Sequence, residues 1–262
     1  MTPDSFSDGG KYFNKKRAVD RAIRMASEGA DIIDVGGEST RPGARDISVR
    51  EECSRVIPVI EAISKKLKIS ISVDTRKASV AEAAINAGAC IINDVSGLRH
   101  DPGMAKVAAK YGAVVIVMHM KGNPRNMQRS PRYKNLISDI KSGLRGSIKI
   151  AKRAGVKEQN IIIDPGVGFG KTVEHNLEIL NRLGEFKDLG RPICVGTSRK
   201  SFIGKILNNY NASDRLTGTI ATCAVAIIRG ADILRVHDVR EAVEVAGLTD
   251  RIITAGAGRG WK

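Results

Sequence analysis

Aromatic side chains are scarce in this chain of 262 residues: Phe, Trp and Tyr together make up 4%. Proteins that hold single-stranded nucleic acid stack bases on such rings, so the shortage argues against that partner despite a formal net charge of +15. The basic clusters Lys15-Lys16-Arg17, Lys65-Lys66-Lys68 and Arg125-Arg129-Arg132-Lys134 fall on different predicted elements, so no continuous basic face is expected. A dispersed positive field would still concentrate a small anion such as a pyrophosphate ester. Long apolar runs are also missing: none approaches the roughly 18 residues of a membrane span. The start Met1-Thr2-Pro3-Asp4 has neither the basic nor the apolar region of a secretion signal, so a cytoplasmic protein is expected, away from membranes. Cys53, Cys90, Cys194 and Cys223 form no C-x-x-C pair and have no histidine cluster beside them. This spacing excludes a disulfide framework and a zinc site, and predicts four reduced core thiols.

No linker, low-complexity run or shift of composition divides the sequence, and 42% hydrophobic content suffices for one domain over residues 1–262. A unit recurs in which an amphipathic helix leads to Gly-Ala and then to a short apolar strand with a polar end. It is read at Gly29 to Asp34, Gly88 to Asn93, Gly112 to His119 and Gly230 to His237. Three more strands, Ile69 to Asp74, Ile161 to Asp164 and Ile193 to Ser198, follow the same logic without the Gly-Ala prefix. Helical patterns lie between them. In Ser48 to Leu67, Ser48 and Glu51 are expected to form a capping box, and Cys53, Val56, Ile57, Ile60, Ile63 and Leu67 trace one apolar face. Strand and helix in alternation predict an α/β fold with a parallel sheet. Seven strands fit a TIM (β/α)8 barrel short of one member better than an open sheet with two exposed edges.

Chemistry in such a barrel sits at the C-terminal ends of the strands. Every predicted strand brings a polar group there: Asp34, Asp74, Asn93, His119, Asp164, then Ser198 with Arg199 and Lys200, then Arg235 with His237. Any one could merely cap a helix or a loop. Seven on one rim point instead to a ligand: Asp and Asn suit a heterocycle with N–H donors and a carbonyl, while Lys200, Arg235 and His237 suit an anion. The run Asp164 to Thr172 looks like a phosphate-binding P-loop, but Pro165 stands where its first glycine should be, which disfavours an NTPase. Two polar, glycine-rich stretches, Thr2 to Gly10 and Gly36 to Gly43, are expected as lids over the rim.

These segments, with Val73-Asp74-Thr75, Ile92-Asn93-Asp94, Met118 to Pro124, Ser198-Arg199-Lys200-Ser201 and Arg235 to Val239, resemble the dihydropteroate synthase family of pterin-binding barrels over nearly the whole chain. The resemblance implies a transferase of folate biosynthesis, a target of sulfonamides, that joins a pterin pyrophosphate to p-aminobenzoate. It implies that Asp74, Asn93 and Asp164 bind the pterin edge, that Lys200 reaches its oxo side, and that Met118 and Phe169 pack near the rings. Arg235, His237, Arg41 and Thr40 would hold the pyrophosphate, with Mg2+ bridging its oxygens. Phe6, Thr40, Pro42 and Ser198 would shape the amine pocket, and Asp8, Lys200, Arg235 and His237 would be catalytic. A homodimer is the family's habit.

The family precedes its Thr-Pro-Asp-Ser-Phe motif with a strand ending in Asn-Val, whose Asn helps bind Mg2+. Met1 stands here in place of the Val. An N-terminally truncated barrel without its first strand, short of that metal ligand, is therefore expected, and a GUG codon taken as the start would account for it. Two other readings stay open: a pterin-dependent methyltransferase acting on a corrinoid protein, and a pterin-binding protein impaired in catalysis.

Overall fold

The computed structural model describes residues 15–39, 45–123, 126–128 and 130–255. Strand and helix alternate as expected: α1 Lys15–Ser27, β1 Ile32–Gly36, α2 Val49–Lys66, β2 Ser70–Asp74, α3 Ala78–Asn86, β3 Ile91–Asp94, α4 Met104–Tyr111 and β4 Val114–Met118. Then come α5 Leu136–Arg153, β5 Ile161–Asp164, α6 Val173–Asn181, β6 Cys194–Val195, α7 Ser201–Leu207, α8 Leu216–Ile228, β7 Ile233–Leu234 and α9 Val239–Thr254. The glycine of each Gly-Ala unit, Gly29, Gly88, Gly112 and Gly230, has φ between 64° and 117°. Only glycine adopts that region freely, which is why each helix stops there and the chain turns into the next strand.

All the strands are parallel. One sheet runs β1-β2-β3-β4-β5, a second pairs β6 with β7, and a single bridge between Ile163 and Ile193 connects them. Among the described residues no backbone pairing joins β7 to β1. β6 and β7 are shorter than the runs read from sequence, two residues each. With so few partners along their edges, the chain departs from regular pairing at Gly196 and Arg235, although Arg235 N–H still donates to Val195 O at 2.9 Å.

Strand alternation divides the core in two. Ile33, Val35, Ile71, Val73, Ile92, Val115, Val117, Ile161 and Ile163 turn outward into the large cluster under the helices. The opposite faces give a second, smaller cluster of Ile91, Ile116, Ile162 and Cys194, with Ile32, Val114 and Ile233 against it. Burying each such aliphatic side chain contributes about 1.5–3 kcal/mol, so both layers hold the strand register firmly.

Two local expectations need correcting. Ser48 does cap α2, its hydroxyl accepting the Glu51 N–H at 3.1 Å, but the Glu51 carboxylate pairs with Arg55 at 2.6 Å, one turn on, instead of completing a capping box. All four cysteines are free, yet only Cys194 and Cys223 are buried, and Cys90 is exposed just before β3 begins. Among the described residues no helix is long and apolar enough to cross a membrane.

Candidate active site

The alternation that builds the inner cluster also places the polar groups. On β2, β3 and β5 the inward positions end in Asp74, Asn93 and Asp164, one step of two beyond Ser72, Ile91 and Ile162, while on β1 Asp34 stands one such step beyond Ile32 and one before Gly36, which ends that face. Register lines them up: Gly36 is opposite Asp74, Asp74 opposite Asn93, and Met118 opposite Asp164. Met118 ends the inner face of β4 and is buried, supplying an apolar surface between Asn93 and Asp164.

Arg235, just past β7, reaches across to the first strands. Its Nε donates to Asp34 Oδ2 at 2.7 Å and its Nη2 to Asp74 Oδ2 at 2.8 Å. Asn93 Nδ2 donates to the same Asp34 oxygen at 3.3 Å. Asp34 and Arg235 thus share one charge-assisted pair, and the pKa of Arg235 is raised chiefly by Asp34. The carboxyl of Asp34 is penalised by burial, yet Arg235 holds it below its ordinary range. Asp74, equally buried but secondary in that pairing, is pushed up to about 7 by burial and by Asp34, against the pull of Arg235. The sequence places Asp34 on the rim, and the structure makes it the anchor of Arg235.

The second half of the rim is the glycine loop after β5. Asp164 is 8% exposed and its Oδ1 accepts the Gly166 N–H at 2.7 Å. Burial raises its pKa, and that N–H together with Lys200 opposes the rise. Gly166 has φ +73°, and a Cβ there would lie 1.9 Å from the His119 carbonyl oxygen, so only glycine lets the loop cross β4's end. Lys171 is buried and ties this loop down: its Nζ donates to Phe169 O at 2.9 Å and His119 O at 3.2 Å, and lies 3.2 Å from His119 Nδ1. Burial lowers Lys171 to about 7 and His119 to about 3. His119 is therefore a neutral structural partner of Lys171. In the sequence Lys171 stands out only as a member of the glycine-rich segment Asp164 to Thr172, and the buried carbonyls it serves carry no signal there.

Lys200 Nζ sits 4.2 Å from the centre of the Phe169 ring, and burial, followed by Arg235, lowers its pKa to about 8. His237 Nδ1 is 2.9 Å from Ser198 Oγ, which also accepts the His237 N–H at 3.2 Å. Burial and the neighbouring arginines lower His237 to about 4, so it is neutral here. Arg199, with φ +57°, pairs with Asp238 at 3.0 and 2.5 Å. Its pKa is raised chiefly by that bond, and its charge is committed to Asp238.

The structure therefore gathers Asp74, Asn93, Met118, Asp164, Phe169, Lys200 and Arg235 by contact, register or mutual electrostatics, and pairs Ser198 with His237 beside Arg235 in the chain. Phe6, Asp8, Thr40, Arg41 and Pro42 lie outside the described residues. Among the described residues no group of three or more His, Cys, Asp and Glu side chains is gathered as a metal ion would need. The acidic pair Asp34 and Asp74 is already bound by Arg235. As they stand, these carboxylates do not fit a protein-held Mg2+.

Known proteins resemble this chain in sequence and fold. The family model described as a pterin binding enzyme matches residues 1–237. A dihydropteroate synthase from Clostridium beijerinckii is 53% identical, over 97% of this chain and 91% of its own. A crystal structure of a dihydropteroate synthase from Clostridium difficile in the presence of pteroic acid superimposes with a TM-score of 0.89 at 50% identity, over 96% of this chain and 93% of that one. The Yersinia pestis dihydropteroate synthase in complex with a sulfonamide drug gives 0.93 at 44% identity, over 97% and 92%.

Proposed function

The chain belongs to the pterin-binding enzyme family, and from that premise we propose how it works as a dihydropteroate synthase, a transferase of folate biosynthesis. The reaction is condensation of 6-hydroxymethyl-7,8-dihydropterin pyrophosphate with p-aminobenzoate, giving 7,8-dihydropteroate and pyrophosphate. The observation that carries the site assignment is the ring of inward strand ends, Asp74, Asn93 and Asp164, facing Lys200 and Arg235.

Asp164 and Asn93 take the N–H donors of the pterin edge, Asp74 supports them, and Lys200 donates to the oxo side. Met118 and Phe169 bound the ring's faces. Arg235, held in place by Asp34 and Asp74, presents its outward side with neutral His237 to the pyrophosphate. The bond from the pterin methylene to the pyrophosphate oxygen breaks, its electron pair leaving with the pyrophosphate, and the ring delocalises the resulting cation. The amine nitrogen of p-aminobenzoate then forms the C–N bond and releases its proton to water. Fixed dipoles and charges stabilise this sequence, and it asks for no strong base. Asp8 and Arg41 join the machinery on this reading, and Phe6, Thr40, Pro42 and Ser198 line the amine pocket. Mg2+ would arrive with the pyrophosphate and supply charge neutralisation to the leaving group.

The whole chain, 1–262, is read as one barrel domain, with the seat of an eighth strand between β7 and β1. A homodimer is supported by large apolar side chains left exposed on the neighbouring helices α6, α8 and α9, among them Leu177, Ile228, Leu248 and Ile252. A location in the cytoplasm fits the substrates.

The test is pyrophosphate release that requires both pterin pyrophosphate and p-aminobenzoate. Pterin binding with no product would favour the impaired binding protein, and methyl transfer to a corrinoid protein would favour the methyltransferase.

A pH dependence follows from Lys200. Its ammonium must keep its proton to donate to the pterin, and its pKa in the free enzyme is lowered to about 8. The value of kcat/KM for the pterin substrate should therefore fall as pH rises above about 8, approaching a decade per unit, because this parameter reports the free enzyme. A profile that stays flat to about pH 9.5 would remove Lys200 from pterin recognition.

A further inference from the structure

The glycine loop after Asp164 is held by side chains that stand outside the rim. Gly166, Gly168 and Gly170 have φ of +73°, +83° and +66°, and three such glycines in five residues make a loop that is costly to order. Its backbone groups are nonetheless bonded one by one. Gln128 Nε2 donates to Gly168 O at 2.7 Å, Lys171 Nζ to Phe169 O at 2.9 Å, and Tyr133 Oη to Gly170 O at 2.8 Å. The Gly168 N–H donates to Asn176 Oδ1 at 2.7 Å, and Asn176 Nδ2 donates to Thr172 O at the same distance. Asn176 lies on α6 and is 2% exposed.

Tyr133 is itself fixed from two sides. Its ring makes a T-shaped contact with His175, centroids 5.1 Å apart, and Lys121 Nζ lies 4.4 Å from its centre. Burial raises the pKa of the phenol, so the hydroxyl keeps its proton and donates. His175 in turn completes the capping box of α6 with Thr172. Between these anchors the loop has little room: a Cβ at Gly168 would lie 3.1 Å from Lys200 Cδ, and one at Gly170 2.5 Å from Lys121 O. What the bonds fix is the place of Phe169, whose ring centre lies 4.2 Å from Lys200 Nζ.

We propose that Tyr133 and Asn176 are positioning residues which, with Lys171, hold loop 166–170 so that Phe169 and Lys200 are set for the pterin before it binds. This rests on the reading above that Phe169 and Lys200 meet the pterin ring. Tyr133 and Asn176 act through the loop, so pterin affinity depends on them and amine recognition does not. A loop released from one anchor spends less time in the binding-competent arrangement, and the apparent Kd rises as that fraction falls.

The experiment joins amide hydrogen exchange, titration with the unphosphorylated pterin alcohol and steady-state kinetics on the full chain, for the wild type, Tyr133→Phe and Asn176→Ala. Tyr133→Phe keeps a ring beside His175 and removes only the hydroxyl that holds Gly170 O. Exchange at amides 166–170 should accelerate about fivefold while β4 and β5 stay protected. Kd for the pterin alcohol should rise about fivefold, with KM for p-aminobenzoate at saturating pterin pyrophosphate within about twofold of wild type. Asn176→Ala removes two bonds and should raise both exchange and pterin Kd about tenfold or more. Should Asn176→Ala not fold, Tyr133→Phe decides alone. Unchanged exchange, or faster exchange with an unchanged pterin Kd, would overturn the proposal. So would an equal rise in amine KM, which marks a merely structural role. A wild-type chain that binds no pterin would remove the underlying reading and the proposal with it; failure of the proposal alone shows instead as wild-type binding that both variants retain in full.

Discussion

Replacing Asp164 with Ala abolishes pterin binding, with an expected loss of about two to four orders of magnitude in affinity. The estimate follows from two hydrogen bonds to a charged acceptor at about 1.5–3 kcal/mol each, and from a decade for every 1.4 kcal/mol. Asp164 is buried at the end of β5, and the Gly166 N–H fixes one of its oxygens, so no neighbour can move in to replace it. Folding should suffer far less than binding. The folded-state pKa of Asp164 is raised by burial, so the wild type loses stability as pH rises through that pKa, a loss the alanine variant does not share. Titration calorimetry with the pterin alcohol, beside thermal unfolding at the same pH, separates the two effects. Binding within about tenfold of wild type would remove Asp164 from the pterin edge.

Arg235→Met should damage both activity and stability. It leaves Asp34 and Asp74 buried, close together and without their shared cation, and breaking such a pair from one side typically costs about 3–5 kcal/mol. The same arginine presents its remaining donors to the pyrophosphate, so kcat/KM should fall by about a thousandfold or more. The pH sign distinguishes this from simple misfolding. In the variant both carboxyls lack the guanidinium that opposes their burial, so their folded-state pKa values lie above the unfolded ones. Groups shifted that way favour the folded state at low pH and disfavour it as pH rises through the folded pKa. Since Asp74 already titrates at about 7 with Arg235 present, the deficit against wild type should be full above neutrality and shrink on acidification. A deficit that grows as pH falls would contradict the ion-pair account.

Much of this was readable in the sequence because alternation is local. Ile33-Asp34-Val35 and Ile161 to Asp164 each show which side faces the helices and which polar residue closes the inner face. Polar residues at strand ends follow from the same count, and so does their common rim. Side-chain pairing was hidden by distance along the chain: Arg235 reaches partners 201 and 161 residues away, and no pattern in β7 reveals that its charge is taken by Asp34. Arg199, next to Lys200 in the motif and at positive φ, is diverted by Asp238 just beyond β7, a partner 39 residues away. Lys171 answers to carbonyl oxygens, and carbonyls look alike in any sequence. Glu51 was drawn from its capping role by Arg55, an equally local and better-charged partner.

A crystal structure with the pterin alcohol bound tests the central claim most directly. The account predicts the ring's N–H edge on Asp164 and Asn93, its oxo side on Lys200, and Arg235 still bridging Asp34 and Asp74. A pterin lodged elsewhere, or one turned so that its oxo group faces Asp164, would contradict it.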